Sequence, residues 1–376
     1  MTDFAKSALL PNGLRDILPL DAEFEADVVS RVTAHFSAQG YERVKPPLIE
    51  FEDTLLDGAG AAMAKQCFRV MDPLTQRMMG LRPDMTPQVA RIARTRLAGS
   101  PRPLRLSYAG QVLRVKGSQL RPERQFGQAG IELIGADCPE ADAEVAVLAA
   151  EALVALGVPG VSIDLSLPTL VPALLSGLGV AEDTLRGSLD HKDVAAVQAL
   201  GGVAAPLLSA LLQAAGPAER ALNILTGLDL PAAAAAERDR LARVVALIAQ
   251  TLPEVGLTVD PVENRGFEYH SGIAFTLFGQ NISGELGRGG RYLAGGTEAA
   301  TGATLFLDTV LAALPGPVAA QRVFIPAGAP RALAQALRAQ GWITVAGLQP
   351  VSDNGGEAKR LDCGHLLTAD GVKSVE

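Results

Sequence analysis

The stretch YAGQVLRVKGSQLRPERQFGQAGIELIG, residues 108–135, decides the fold of this chain. Two segments, 104–115 and 126–134, have the length and the share of apolar, β-branched and aromatic residues that strands favour. The segment KGSQLRPER between them is polar and rich in arginine, which is typical of an exposed loop. The pattern predicts two strands that flank an arginine-rich loop.

The residues before this stretch predict a helix, a hairpin and a second helix. From Asp21 to Gly40, apolar residues recur at helical spacing, and the glycine ends the pattern. The runs FRVMDP and QRMMGLRP suit an antiparallel hairpin, and a helix over residues 87–97 follows. The predicted apolar face of the first helix consists of Phe24, Val28, Val32 and Phe36.

Two more helices and a strand are predicted behind the central stretch. A helix over residues 137–156 precedes a strand over 161–167. In the segment PAAAAAERDRLARVVALIAQ, we expect a helix with Asp229 as its cap and Pro231 in its first turn. The apolar stripe of the helix over 137–156 consists of Val145, Leu148, Ala152 and Leu156.

Composition predicts how the chain is divided. A change to alanine and leucine marks a helical insertion over residues 168–255, which interrupts a core formed by residues 1–167 and 256–316. Residues 320–376 alternate in the manner of a small β-α-β-α-β unit. We therefore expect one interrupted core and one appended unit.

Charge and rare residues exclude several classes of protein. The net charge of −8 gives no basic field that would hold a large polyanion such as tRNA. The three cysteines form no CxxC pair and the four histidines no HExxH, so no zinc site, disulfide framework or cofactor is expected. The start MTDFAKSALLPNG lacks a secretory signal and charges interrupt the apolar stretches, so we expect a cytoplasmic protein without a membrane span.

Polar residues in and around the central stretch leave two interpretations open. Arginines concentrated between Arg77 and Arg124 suit either an anion site or a solvated face with ion pairs. Gln128 and Glu132 lie on the same side of one predicted strand, as does Gly130, which suits either a ligand site or an outward polar face.

Two later features are equally open. The stretch GELGRGGRYLAGG matches no phosphate-binding loop, and a tight turn between strands explains its glycines best. His270 follows Tyr269 on a predicted strand, and a lone histidine is more often structural than catalytic.

Four segments, taken in order, resemble the catalytic core of histidyl-tRNA synthetase, a class II aminoacyl-tRNA synthetase. They are LRPDMT at 81–86, the central stretch at 108–135, NRGFEYHSG at 264–272 and GGRY at 289–292. The likeness runs from PNGLRDILP near the start to about Leu314. It implies an α+β fold in which a class II antiparallel sheet is flanked by helices, with a helical insertion and a small α/β C-terminal unit.

The resemblance also implies a histidine pocket. Glu132 would accept a hydrogen bond from an imidazole N–H, which selects histidine because the carboxylate would otherwise be buried unpaired. His270 departs from the family, which has a second tyrosine there. The residues carried over to the pocket are Asp84, Thr86, Arg114, Gln128, Glu132, Arg265, Tyr269, His270 and Tyr292.

The resemblance assigns the other pocket residues to the two ends and the walls of the ligand. Asp84 and Thr86 would meet the α-amino group, and Gln128 and Arg265 would hold the amino and carboxylate ends. The two tyrosines of the set would form the walls.

The residues that handle ATP in that family are altered. Arg114 matches the arginine that contacts the α-phosphate, but the acidic residue two positions later is Lys116. In GATLFLDT, which stands in the place of motif 3, the family's arginine is Thr309. Loss of a cation that offsets triphosphate charge raises the barrier to adenylation. The resemblance therefore implies little or no adenylation, on the condition that no positive side chain from elsewhere lies beside Thr309.

The chain resembles the regulatory subunits of ATP phosphoribosyltransferase in three respects. It has the residues of a histidine pocket, it lacks the motif 3 arginine, and its C-terminal segment is shorter than an anticodon-binding domain. This implies a non-catalytic subunit that mediates activation and histidine feedback on a short-form catalytic subunit, in the first step of histidine biosynthesis. It also implies a homodimer within a hetero-oligomer and no productive tRNA binding. The alternatives are a working histidyl-tRNA synthetase and a free-standing histidine-sensing adaptor.

Overall fold

The computed structural model describes residues 9–117, 121–180, 185–264 and 269–375. The chain divides into two compact units, one holding residues 22–316 and the other the residues from Pro317 onwards. Among the described residues, no helix combines the length and the apolar character needed to cross a bilayer.

A mixed sheet of nine strands forms the centre of the first unit, in the order β1-β5-β6-β12-β11-β10-β7-β9-β8, beside a small sheet β2-β4-β3. The strands are β1 Glu42–Arg43, β2 Ile49–Phe51, β3 Phe68–Met71, β4 Met78–Leu81, β5 Leu104–Leu113, β6 Gln125–Ile134, β7 Ser162–Ser166, β8 Gly216–Pro217, β9 Gly256–Asp260, β10 Ala274–Phe278, β11 Gly287–Ala294 and β12 Glu298–Phe306. The expected α+β class is confirmed. The large sheet is mixed because β1 pairs with β5, and β7 with β9, in parallel.

Helices flank this sheet. They are α1 Asp21–Ala38, α2 Glu52–Leu55, α3 Thr86–Thr95, α4 Pro139–Leu156, α5 Leu170–Leu178, α6 Arg186–Asp190, α7 Val194–Leu200, α8 Ala205–Ala214, α9 Ala218–Thr226, α10 Ala232–Thr251 and α11 Leu307–Ala313, with 3-10 turns at Gly58–Gln66 and Gly202–Ala204. The predicted hairpin and the predicted helices before and after the central stretch are confirmed by β3–β4, α1, α3 and α4.

Helix α4 packs across the sheet and is buried on most of its circumference. Its predicted stripe is buried, and so are the alanines between the stripe residues, which let the helix approach the strands closely. The helix ends at Gly157, whose positive φ of 93° is a left-handed cap that other residues adopt at a cost. The packed alanines explain why α4 is more buried than an amphipathic pattern predicts.

Between β7 and β9, the regular elements that the structure describes are helices except for the short β8, and their apolar residues join the same hydrophobic core as the sheet. The predicted cap of α10 is wrong. The N-cap residue is Pro231, with φ −53° and ψ 149°, and no side chain caps the helix. Asp229 lies two residues before that position, where its carboxylate cannot reach the first free N–H groups.

A buried charge cluster lies behind the sheet, where α4, α10, β11 and β12 meet. Asp142 accepts hydrogen bonds from Arg240 at 3.0 Å, from Arg291 and from Thr301 at 2.7 Å. Asp142 and Arg291 are both nearly inaccessible to solvent. Because a buried charge needs partners, this cluster fixes the positions of the four elements relative to one another.

The second unit has a four-stranded sheet in the order β14-β13-β15-β16. Its elements are β13 Arg322–Ile325, α12 Arg331–Ala339, β14 Ile343–Ala346, α13 Asn354–Arg360, β15 His365–Thr368 and β16 Gly371–Ser374. Strands β14 and β15 pair with β13 in parallel, as the β-α-β-α-β prediction requires, and β16 adds an antiparallel strand.

Candidate functional site

A cavity of about 300 Å³ opens on the face of the large sheet that carries α3. It contains seven of the nine residues carried over from the family: Asp84, Thr86, Arg114, Glu132, Tyr269, His270 and Tyr292. Arg265 lies outside the described residues. A volume of this size suits a small ligand such as an amino acid.

Small residues in neighbouring strands make room for the floor of the cavity. Glu132 on β6 lies opposite Gly302 on β12, which in turn lies opposite Gly290 on β11. A Cβ atom on Gly302 would come within 1.9 Å of Glu132 Oε2, so only glycine leaves space for the carboxyl group. The next row toward Arg114 consists of Gly130, Thr304 and Arg288.

Glu132 is fully buried and is held by hydroxyl groups. Tyr292 donates to Oε2 at 2.8 Å and Tyr108 donates to Oε1 at 3.3 Å. Among the residues that the structure describes, none forms an ion pair with this carboxyl group. Burial, reinforced by the negative charge of Asp84, raises the pKa of Glu132 to about 8 against the lowering effect of its hydroxyl partners.

Tyr108 is a member of this site that the sequence did not reveal. Its hydroxyl lies 2.7 Å from Thr304 Oγ1 and 3.2 Å from Thr86 Oγ1, in addition to its contact with Glu132. Its ring occupies the space above Gly130, its partner in the β5–β6 register. A tyrosine opposite a glycine on paired strands was the available signal.

Asp84 is held at the start of α3. The backbone N–H of Thr86 donates to Asp84 Oδ1 at 2.9 Å, and Gln128 Nε2 donates to Oδ2 at 2.9 Å. Arg114 Nη2 lies 3.8 Å from the same oxygen. Gln128 also accepts from the N–H of Met85, so the structure places it behind Asp84 and outside the residues that line the cavity.

The opposite wall carries Tyr269 and His270, whose ring centroids are 4.0 Å apart. The predicted strand at these residues is wrong, because they lie in the loop before β10. His270 packs against Gly290, where φ is 152° and a Cβ atom would come within 2.5 Å of the imidazole. That contact, which depends on a strand distant in sequence, holds the histidine at the cavity wall.

The glycine-rich stretch is also different from its prediction. Residues 287–294 form β11, and the turn lies after it at Gly295 and Gly296, with φ of 57° and 78°. The glycines in the strand serve close packing: a Cβ atom on Gly289 would come within 2.4 Å of the Phe275 ring. The same strand brings in Arg288, a second cavity residue that the sequence did not reveal, which pairs with Glu285.

A cation from another segment lies beside Thr309. Arg121 donates from Nε to Asp308 Oδ2 at 2.7 Å and from Nη2 to Thr309 Oγ1 at 3.1 Å. Its guanidinium also lies 4.0 Å from the centroid of the Phe306 ring. The condition that no positive side chain lies beside Thr309 is therefore not met.

A second, smaller cavity of about 80 Å³ adjoins the first and shares Arg114 and Gln66 with it. Lys116, Arg121 and Glu123 also line it. It therefore holds Arg114 and Lys116, the two positions at which the resemblance expects contacts with ATP, and Lys116 adds a positive charge there.

Comparisons with known proteins identify the family of this chain. The model of the family described as Histidyl-tRNA synthetase matches residues 13–310. Proteins named ATP phosphoribosyltransferase regulatory subunit are similar over nearly the whole chain: 68% identity in Paramagnetospirillum magneticum, covering 100% of both chains, and 57% in Rhodospirillum centenum, covering 98% and 97%.

Solved structures show the same fold. An ATP phosphoribosyltransferase regulatory subunit/histidyl-tRNA synthetase from Bacillus halodurans has a TM-score of 0.81 at 25% identity, over 94% of this chain and 96% of that one. Histidyl-tRNA synthetase from Nostoc sp. PCC 7120 has a TM-score of 0.80 at 16% identity, over 96% and 92%, and so supports the fold alone.

Proposed function

We propose that this chain binds histidine and transmits the presence of histidine to a catalytic subunit. The premise is that the chain belongs to the histidyl-tRNA synthetase family and, within it, to the ATP phosphoribosyltransferase regulatory subunits. Membership follows from the family match over residues 13–310 and from a relative that is 68% identical along the whole chain. The shared name of the relatives implies a catalytic ATP phosphoribosyltransferase partner.

The observation that carries the proposal is the buried carboxyl group of Glu132 at the cavity floor. It is inaccessible to water, and none of its partners in the described part of the chain is a cation. Its tyrosine donors are uncharged, so a ligand that supplies a further donor stabilises the buried acid. An imidazole N–H supplies one, and an apolar ring of the same size does not.

The rest of the cavity suits the other groups of histidine. Asp84 offers a carboxylate to an α-ammonium group, and Arg114 and Arg288 offer guanidinium groups to an α-carboxylate. Tyr269 and Tyr292 supply aromatic walls. The cavity therefore holds complementary groups for all three polar parts of the ligand.

Regulation follows from linkage. Histidine bound to this chain inhibits a catalytic partner only if the inactive arrangement of the complex binds histidine more tightly than the active one. We propose that this difference arises in the cavity around Glu132, and that the chain acts as a homodimer within a hetero-oligomer.

Calorimetry with histidine tests the pocket. Glu132→Ala should abolish binding, whereas Glu144→Gln, which alters a carboxylate outside the cavity, should leave the affinity unchanged. Unchanged affinity in Glu132→Ala would show that the pocket is misassigned.

Reconstitution with the catalytic subunit tests the regulation. Glu132→Ala should still support the phosphoribosyltransferase activity but remove its response to histidine. Equal inhibition by histidine in the wild type and the variant would place the regulatory histidine on the partner.

Amino-acid activation is a second candidate function, favoured by Arg121 beside Thr309. We propose that the chain is nevertheless not a ligase, because Asp308 already neutralises Arg121 and Lys116 reverses the charge expected near adenine. Pyrophosphate exchange with histidine and ATP should stay at background in the wild type. Robust exchange that is lost in Arg121→Met would show that Arg121 replaces the motif 3 arginine and that the chain is an enzyme.

A further inference from the structure

Two glutamate–tyrosine pairs in this chain have opposite electrostatic surroundings. Glu144 accepts from Tyr41 at 3.0 Å and from Arg105 at 2.7 Å and 2.8 Å, and these donors lower the pKa of Glu144. Glu132 accepts from two tyrosines and has no ion pair within the described residues. The difference is the guanidinium group: Glu144 lines a surface pocket together with Arg105, whereas Glu132 lines its cavity beside Asp84 without an ion pair of its own in the described residues.

In the part of the chain that the structure describes, hydroxyl groups, aromatic rings and one negative charge surround Glu132. Strand β5 contributes the hydroxyl of Tyr108, and β11 contributes the hydroxyl and ring of Tyr292. The start of α3 contributes Thr86, with the negative charge of Asp84 beside it. The loop before β10 contributes Tyr269 and His270, which line the same cavity. Oxygen atoms and aromatic faces stabilise a cation.

Two cations of the described residues, Arg114 and Arg288, line the cavity, and both are displaced from Glu132 along the strands. Arg288 lies in the neighbouring row with Gly130 and Thr304, and Arg114 lies near Asp84. A ligand with its carboxylate toward these arginines and its ring toward Glu132 therefore places the ring beside the hydroxyls of Tyr108 and Tyr292 and the carboxylate of Asp84, as far as the described residues extend. Of the described residues, His270 is the histidine that lines that part of the wall.

We propose that histidine, bound as the proposed function requires, is held with its ring as an imidazolium whose added proton comes from Glu132. The O–H bond of the Glu132 carboxyl breaks and an N–H bond forms on the free ring nitrogen. The products are a carboxylate and an imidazolium in contact. The complex and the separate partners carry the same number of protons at neutral pH, so nothing is exchanged with solvent.

The proton inventory supports this transfer. The free pocket holds its proton up to a pKa of about 8, whereas a free imidazole ring has a pKa of about 6.5. The pKa of Glu132 therefore exceeds that of the free imidazole by about 1.5. A cation in contact with a carboxyl group lowers the pKa of that group by about 1–3. Contact between the carboxylate and the imidazolium is therefore sufficient to move the preferred position of the proton from Glu132 to the ring.

The consequence is a ligand class: aromatic heterocycles that accept a proton at neutral pH. A triazole analogue of histidine keeps a ring N–H but is far less basic. It should bind at least about tenfold more weakly than histidine, because each unit of basicity lost costs about tenfold in the transfer. Equal affinity would show that the site uses only the ring N–H and would overturn the proposal.

Two measurements on the full chain at about pH 7.2 test the transfer directly. The nitrogen resonances of ring-labelled histidine in the complex should be those of an imidazolium, with both nitrogens protonated. Calorimetry in buffers of different ionisation enthalpy should show almost no net proton exchange. A neutral bound ring, or an uptake of nearly one proton from solvent, would each overturn the proposal.

Three variants identify the donor. Glu144→Gln should reproduce both wild-type results. Glu132→Gln should yield a neutral bound ring, and if it does not bind histidine, the wild-type measurements still decide. His270→Gln should leave the exchange near zero, since a proton uptake appearing there would make His270 the donor. Failure of the wild type to bind histidine at all would instead refute the proposed function.

Discussion

The substitution Glu132→Gln should stabilise the ligand-free protein at alkaline pH. Folding raises the pKa of Glu132 from 4.5 to about 8. Between these values the folded state keeps a proton that the unfolded state releases, so the free energy of unfolding falls as pH rises. At about 1.4 kcal/mol per unit, the loss amounts to about 5 kcal/mol, of which about 4 kcal/mol falls between pH 5 and pH 8.5. Glutamine has the same shape and no proton to lose.

Urea unfolding of wild type and variant across this range measures the effect. The stability difference in favour of Glu132→Gln should be small at pH 5 and should grow steadily up to about pH 8. Glu144→Gln is the matched control with the opposite sign. Arg105 lowers the pKa of Glu144, so the carboxylate stabilises the fold at neutral pH, and its loss should matter less in acid. A Glu132→Gln difference that is independent of pH would refute the protonated carboxyl group.

Three other substitutions probe the cavity and its support. Gly302→Ala should displace Glu132 and abolish histidine binding in calorimetry. It should also lower the free energy of unfolding, measured with urea, by about 1–3 kcal/mol. Tyr292→Phe removes one donor to Glu132 and should weaken histidine binding about tenfold, again by calorimetry. Arg291→Met breaks the buried charge cluster and should cost about 3 kcal/mol in urea unfolding, whereas the exposed Arg243→Met should change it by less than about 0.5 kcal/mol.

Periodicity predicted most of the fold, because apolar spacing records which face of an element is buried. The hairpin β3–β4 and helix α4 are examples. It failed at the glycines of β11, which look like turn residues until their neighbours are known. Glycine is required at 289 and 290 because Phe275 and His270 occupy the space that a side chain would fill. Such a reason lies in another segment of the chain and leaves no trace in local spacing.

The site depends on contacts that are distant in sequence. Glu132 and Tyr292 form a hydrogen bond across 160 positions, and Tyr108 contacts Thr304 across 196. Spacing along β6 indicated only that Gln128 and Glu132 share a face. It could not show that Gln128 is turned to support Asp84 while Glu132 faces the cavity. Family resemblance selected the residues, and their roles in binding stay predictions.

Arg121 shows the limit of inferring lost activity from a missing motif residue. A motif comparison considers the residue at one position of the sequence. Electrostatic stabilisation depends on the charge at one location in the folded structure, whichever residue supplies it. In this chain the sequence position of the motif 3 arginine is occupied by Thr309. The guanidinium of Arg121, from the loop between β5 and β6, lies beside it. What then matters is whether that charge is available. Arg121 forms an ion pair with Asp308, and both side chains are largely buried, so much of its field is already cancelled before any triphosphate approaches. A cation that has to leave a buried partner before it can contact a phosphate is a poor replacement for one that is free to do so.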